Sequence, residues 1–341
     1  MKGKVAVTKR ERAFATIERK AVDRPAKWLG MPVSESYAGL FEEYGVNNYH
    51  DLKLAVDDDI WEFDIPYCTA NSDSIGRAFD FLKDENGNTL TGSGFFEEFS
   101  DGDDISVFNW PDPAQHIDKE ECRRRLEAIP SGYATMGVVW SSHFQDACAA
   151  FGMESALMKM KTDPLLFKEI IDRIVDFYLK ANQIFYEAVD GKLDFVLLGN
   201  DFGTQDSLIC SPDDLREFVF GGTKALIDQA HSYGIKVVHH SCGAVRPVIN
   251  DITACGADVI HPIQALAKGM EPQGLKTDFG DTASFCGGVD TQELLVNAAP
   301  EEVEQVVKRL KHIFPTGLII SPSHEALLPD AKPENIRAMM L

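Results

Sequence analysis

His240-Ser241-Cys242 places an imidazole and a thiol two residues apart at the end of a short apolar run, IKVVHHS at 235–241. Alternate residues of an extended strand point the same way, so His240 and Cys242 share a face while His239 looks the other way. A nitrogen and a sulfur side by side form a half-site for a borderline-soft ion such as zinc. A catalytic zinc wants three protein ligands and one open position. His324, in SPSHEALL after the last apolar run, is the expected third ligand, with Cys286 and His261 as rivals. Without a metal, His240 reads as a hydrogen-bonded barrel histidine and Cys242 as a small buried residue. His239 is expected to be structural.

Asp201, in GNDFGTQ, follows another apolar run, where a carboxylate could be a general base, a ligand-binding group or a partner for a metal-bound histidine; the plain alternative is a turn cap. Asn200, Gln264, Asp290 and Trp140 stand at comparable strand ends and are candidate substrate-binding residues, although caps, turns and core packing would also explain them. Nothing in the sequence marks a cofactor-binding residue beyond the metal ligands.

These residues need a scaffold that gathers strand ends. From about 131 onward the chain repeats strand, loop and helix: YATMGVVW, LDFVLLGN, IKVVHHS, DVIHPI, ASFCGGV and LIISPS, with helices expected at 144–160, 164–189, 212–233, 245–255, 271–278, 300–313 and from Pro333. The runs are short, β-branched and continuously apolar, as parallel strands covered on both faces are. With KWLGM (27–31) as a first strand the count approaches eight, and no GxGxxG follows an early strand. The expected fold is α/β, a (β/α)8 TIM barrel, as one domain over 1–341 with an irregular decoration over about 1–130. Within that decoration a helix is expected over 9–20. Residues 57–99 read as an antiparallel β-hairpin excursion turning at Asn86-Gly87, and 99–116 as a surface loop.

The 341 residues carry 33 Lys plus Arg against 54 Asp plus Glu, a formal charge of -21, with 44% hydrophobic residues. This is the composition of an ordinary globular protein, and its acidity argues against nucleic acid and anionic membranes as partners. Seven widely spaced cysteines do not form a secreted disulfide framework and suit a reducing cytoplasm. No apolar run reaches the ~18 residues of a membrane span, and the first residues lack a signal-type apolar core.

The series GNDFGTQDSLICSPDDLREFV, VVHHSCGAVRPVINDITACGADVIHPIQ, FCGGVDTQELL and LIISPSHEALLPDAKPENIRAM resembles the uroporphyrinogen decarboxylase superfamily over roughly residues 130–341. The resemblance implies a (β/α)8 barrel and one of two activities: cofactor-free decarboxylation of uroporphyrinogen, or zinc-dependent methyl exchange with corrinoids. HSCG is similar to the His-x-Cys zinc motif of the methylcobamide:thiol methyltransferases, implying His240 and Cys242 as ligands; where that branch supplies a cysteine in the last loop, this chain has His324. The arginine-bearing MRQAGRY motif of true decarboxylases has no counterpart in AKWLGMPVSESY. The expectation is therefore a methyltransferase exchanging a methyl group between a small thiol, amine or methoxy compound and methylcobamide carried by a corrinoid protein, since no cobalamin-binding module is visible. Zinc would activate the substrate as a Lewis acid. Uroporphyrinogen decarboxylation and a non-catalytic small-molecule-binding barrel are the alternatives.

Overall fold

The computed structural model describes residues 7–68, 75, 78–82 and 92–341. Seven parallel strands form one curled, TIM-barrel-like sheet: β1 (Ile60–Asp64), β2 (Ala134–Trp140), β3 (Phe195–Gly199), β4 (Lys236–His240), β5 (Val259–Ile263), β6 (Phe285–Val289) and β7 (Leu318–Pro322), paired in chain order. Burial on both faces explains their unbroken apolar character. Met136, Val138, Phe195, Leu197, Val238, Val259, Cys286 and Ile319 point into the curl. Their neighbours Val139, Val196, Leu198, Val237, Ile260, Phe285, Leu318 and Ile320 pack outward against the helices. The helix Lys9–Ile17 adds Ala13 and Ile17 to the inner cluster, with Phe14 packed 5.1 Å from Phe195, so it plugs the end where strands begin.

The expected eight strands become seven. KWLGM is no regular strand: Lys27 makes one parallel bridge to Ile320, and Trp28 N–H donates to the Ile320 carbonyl at 2.9 Å. On its other side the Lys27 carbonyl accepts Asp59 N–H at 2.9 Å, so residues 26–29 stand between β7 and the start of β1. Met31–Pro32 leaves the curl to pair with Ala326–Leu327.

The expected antiparallel excursion is also corrected. Its first segment is β1, parallel to β2 with Ile60 opposite Ala134. It looks amphipathic because Glu62 points inward, toward a buried lysine described below. The Asn86-Gly87 turn lies outside the described residues; its flanks meet at one antiparallel bridge, Leu82 to Gly94. The stretch 99–116 is more than a surface loop, since it holds two short 3-10 turns and buries Ile105 and Phe108.

The helices follow the sequence closely. Pro164–Val189 starts on a proline at its first turn and buries a stripe through Leu166, Phe167, Ile170, Ile171, Ile174 and Tyr178. The helix expected at 144–160 breaks at Gly152, whose φ of +85° and crowding against the Gly92 carbonyl divide it into His143–Phe151 and Met153–Thr162. The helix expected from Pro212 contains a π turn at Leu215–Val219. All seven cysteines are free thiols. Among the described residues no helix is long and apolar enough to cross a membrane.

Candidate metal centre

The C-terminal edge of the sheet gathers the ligand-type residues, as a barrel of parallel strands does. His240 ends β4 with its ring inside the curl, while His239 faces outward, stacks on Phe202 at 5.9 Å and has no hydrogen-bond partner for either nitrogen among the described residues. Burial, then the charge on His240, lowers the His239 pKa to about 3, so it is a neutral core residue. Cys242 lies just past the strand, yet its Sγ comes within 3.4 Å of His240 Nε2.

Two glycines permit this path. A Cβ on Gly199 would sit 2.0 Å from the His240 carbonyl oxygen, so only glycine lets β3 approach β4 there. Gly243 has φ +86°, and a Cβ on it would meet Gly203 C at 2.4 Å. Gln264 Oε1 accepts Gly243 N–H at 2.7 Å and Asp201 Oδ1 accepts Cys242 N–H at 2.9 Å, fixing the loop from both sides.

The loop after β7 brings His324 and Glu325. His324 bonds the Cys242 thiol, which raises its pKa, with burial opposing and Glu325 assisting. Glu325 Oε2 lies 3.5 Å from both His240 Nδ1 and His324 Nδ1. From β5, His261 Nδ1 stands 3.0 Å from His240 Nδ1. The donor atoms form three overlapping groups, each within 4.8 Å: Asp201, His240 and Cys242; His240, His261 and Glu325; Cys242, His324 and Glu325.

Electrostatics hold this arrangement in one state. Burial pulls the His240 pKa down, but Glu325, Cys242 and Asp201 outweigh it and the net direction is up. Burial, then the charges of His240 and His324, drives His261 well below the ordinary histidine range. For Asp201 burial raises the pKa, but the His240 bond and charge and the Cys242 N–H overcome it and hold the carboxyl down. With Oδ1 serving both His240 Nε2 at 3.1 Å and Cys242 N–H, Asp201 is placed as a brace for these two residues.

The donors suit a divalent, borderline-soft cation. Imidazole nitrogens, one thiol and a carboxylate are zinc's usual ligand types. Two of the atoms are buried without hydrogen-bond partners among the described residues, His261 Nε2 and Glu325 Oε2. Buried polar atoms without partners are costly, and a cation would satisfy the carboxylate. The site is open on one side: Asp201 and His324 side chains are 43% and 41% exposed, against 5% for His240.

The other expected residues divide. Trp140 stands edge-on to the His240 ring at 5.3 Å, aimed there by a register shift in β2 and a left-handed φ of +47°. Gln264 supports the Cys242 loop. Asn200 is turned away: its Oδ1 accepts Phe144 N–H at 2.7 Å and its amide nitrogen meets His143 at 3.2 Å. Asp290 accepts the N–H groups of Gln292, Glu293 and Leu294, as a helix cap does. Of the rival third ligands, His261 joins the cluster. Cys286 packs in the inner core, where burial raises its thiol to about 12. Glu325 escaped the sequence reading; its one signal was an acid beside a candidate ligand in PSHEAL.

Residues 91–341 match the family Uroporphyrinogen decarboxylase (URO-D). The chain belongs to that family. Its fold is similar to that of a methyltransferase from Methanosarcina mazei, with a TM-score of 0.69 at 16% identity over 97% of this chain and 97% of that chain. A putative vitamin-B12 independent methionine synthase from Listeria monocytogenes aligns over 92% of this chain and 94% of that chain at 12% identity, with a TM-score of 0.44. No curated protein matches this URO-D chain. At this identity the Methanosarcina structure speaks to the fold alone.

Proposed function

We propose that this URO-D family chain is a methyltransferase that exchanges a methyl group between a small substrate and a corrinoid carried by a separate protein. The proposal includes zinc bound by His240, Cys242 and His324, with Glu325 as a further ligand. The observation that carries the reading is the convergence of a nitrogen and a sulfur from the end of β4 with His324 and Glu325 beyond β7, at a mouth that stays open. Zinc bound there supplies a Lewis acid that makes a bound heteroatom nucleophilic at neutral pH or activates its methyl bond.

The chain's own residues do the positioning. Asp201 ties down the Cys242 loop through its N–H and stands beside His240 Nε2, the nitrogen that a metal shared with Cys242 would take. His261 and Glu325 fix the Nδ1 side of the same ring. Gln264 pins the loop that carries the thiol. Trp140 stands edge-on beside the His240 ring and walls that side of the site. A corrinoid protein seated over the mouth would exclude water during transfer. Charge argues against the decarboxylase reading. Arg125 lines the cavity beside Trp140, yet it is spent on Glu121 and the Asp64 carbonyl, leaving no cation cluster among the described residues there to grip a polycarboxylate.

The test is methyl transfer followed by the visible spectrum of the corrinoid, from methylcobalamin to thiol or amine acceptors and from methoxy donors to cob(I)alamin. The reading predicts metal-dependent turnover that disappears in Cys242→Ala. Turnover that survives metal removal, or carbon dioxide release from uroporphyrinogen by metal-free protein, would overturn it.

A further inference from the structure

Beside the centre, on the side walled by Trp140, lies a cavity of about 560 Å³. Its described lining includes Asp64, Tyr67, His116, Glu121, Arg125 and Trp140. Two features of this lining point to the charge of its occupant, and a third to an unfilled polar contact. Asp64 ends β1, and its carboxylate makes no hydrogen bond or ion pair among the described residues; burial raises its pKa, with the nearby Arg125 charge opposing. Its positive neighbour Arg125 gives Nε to Glu121 at 2.9 Å and a guanidinium nitrogen to the Asp64 backbone carbonyl at 3.1 Å, so the cavity offers no unspent cation among the described residues. Tyr67 is only 2% exposed, yet its hydroxyl finds no hydrogen-bond partner among the described residues. A buried hydroxyl without a partner is expected to find one in a ligand or in water.

Trp140 contributes a second kind of recognition. It is a bulky residue in left-handed backbone, a conformation that survives only where the surroundings impose it. That conformation leaves the indole shared between the His240 ring and the cavity lining. An indole, a phenol ring and a carboxylate lining one cavity are the groups that hold a methylated ammonium, by the ring quadrupoles and by one opposite charge.

We propose that the cavity takes the cationic end of the substrate, a quaternary or tertiary methylammonium or a sulfonium group, with Asp64 as counter-charge and Trp140 and Tyr67 as walls. This rests on the methyl-transfer reading for its purpose but not for its test. It anchors the substrate beside the metal centre, which a heteroatom elsewhere in the substrate would meet, and it disfavours thiols that carry a carboxylate or sulfonate.

The experiment is calorimetric titration of the full-length protein with choline and with 3,3-dimethylbutan-1-ol, its uncharged carbon isostere. Choline is expected to bind about tenfold or more tightly than the isostere, in line with a desolvated cation–π contact plus one charge pair. In Asp64→Asn that preference should fall to about twofold or less, with thermal melting and metal content unchanged. Because the comparison on wild-type protein needs no variant, it holds even if Asp64→Asn folds poorly. Equal affinities for the two probes, or no saturable choline binding, would each overturn the assignment. Metal content and methylcobalamin turnover, measured separately, show whether the broader reading fails independently.

Discussion

Lys53 is the sharpest test of how the barrel carries charge in its interior. The side chain is fully buried, and Nζ donates to Asp58 Oδ2 at 2.6 Å, the Ile60 carbonyl at 2.8 Å and Glu62 Oε2 at 3.0 Å. Glu62 also accepts the Trp28 indole N–H at 2.8 Å and the Tyr49 hydroxyl, and Trp28 lies 5.5 Å from the His261 ring. Replacing Lys53 by Met keeps the volume and removes the only cation of this network, leaving two carboxylates without a counter-charge. Breaking a buried pair in this way costs about 3–5 kcal/mol, well above what a lost exposed salt bridge would cost.

The pH dependence gives that prediction its sign. Burial raises the Asp58 pKa to about 6, against the pull of Lys53. A carboxyl whose folded pKa is raised favours folding when protonated, so its contribution is present in acid and declines as pH rises through about 6. Removing Lys53 deletes the strongest force holding that pKa down. The loss in Lys53→Met should therefore be larger at pH 8 than at pH 5, where the stranded carboxyls take up protons. Urea melts of both proteins at the two pH values measure it. A penalty under about 1 kcal/mol, or one that is larger at pH 5, would refute the reasoning.

Two other perturbations follow from the same geometry. Gly243→Ala forces a Cβ into Gly203 at 2.4 Å on a left-handed backbone; it should cost about 1–3 kcal/mol and weaken metal binding about tenfold or more by moving Cys242, as read by melting and competitive chelator titration. Asp146, whose carboxyl burial raises to about 7 against the bond from Tyr178, should make the wild type lose stability as pH rises from about 4 to 7. Asp146→Asn should flatten that decline, by about 2–4 kcal/mol across the range in denaturant melts, and parallel curves for the two proteins would contradict it.

Much of the scaffold was legible because local signals agreed with the global fold. Pro164, Pro300 and Pro333 open helices where proline is tolerated, and six apolar runs became strands within a residue or two of their expected bounds. The failures have a common cause in long-range pairing. Ile60–Asp64 reads as half-solvated because Glu62 alternates with apolar residues, yet Glu62 is buried against Lys53 from a preceding helix. KWLGM is apolar enough for a strand but makes only one bridge, since the chain must turn out at Met31 to meet Ala326. At the site, His240 and Cys242 follow from strand alternation and His324 from its place beyond the last strand. Glu325 and His261 join them only through the curl of the sheet, which no spacing within the sequence encodes. Asn200 and Asp290 resemble site residues in sequence because strand ends favour polar residues for capping as much as for binding.

The most direct measurement is the zinc-to-protein ratio, by elemental mass spectrometry, of the wild type, His240→Ala and Cys242→Ala after equilibration with a zinc buffer. The account predicts about one ion per wild-type chain and strong depletion in both variants, with circular dichroism showing that each remains folded. Full retention of zinc by both variants would contradict it.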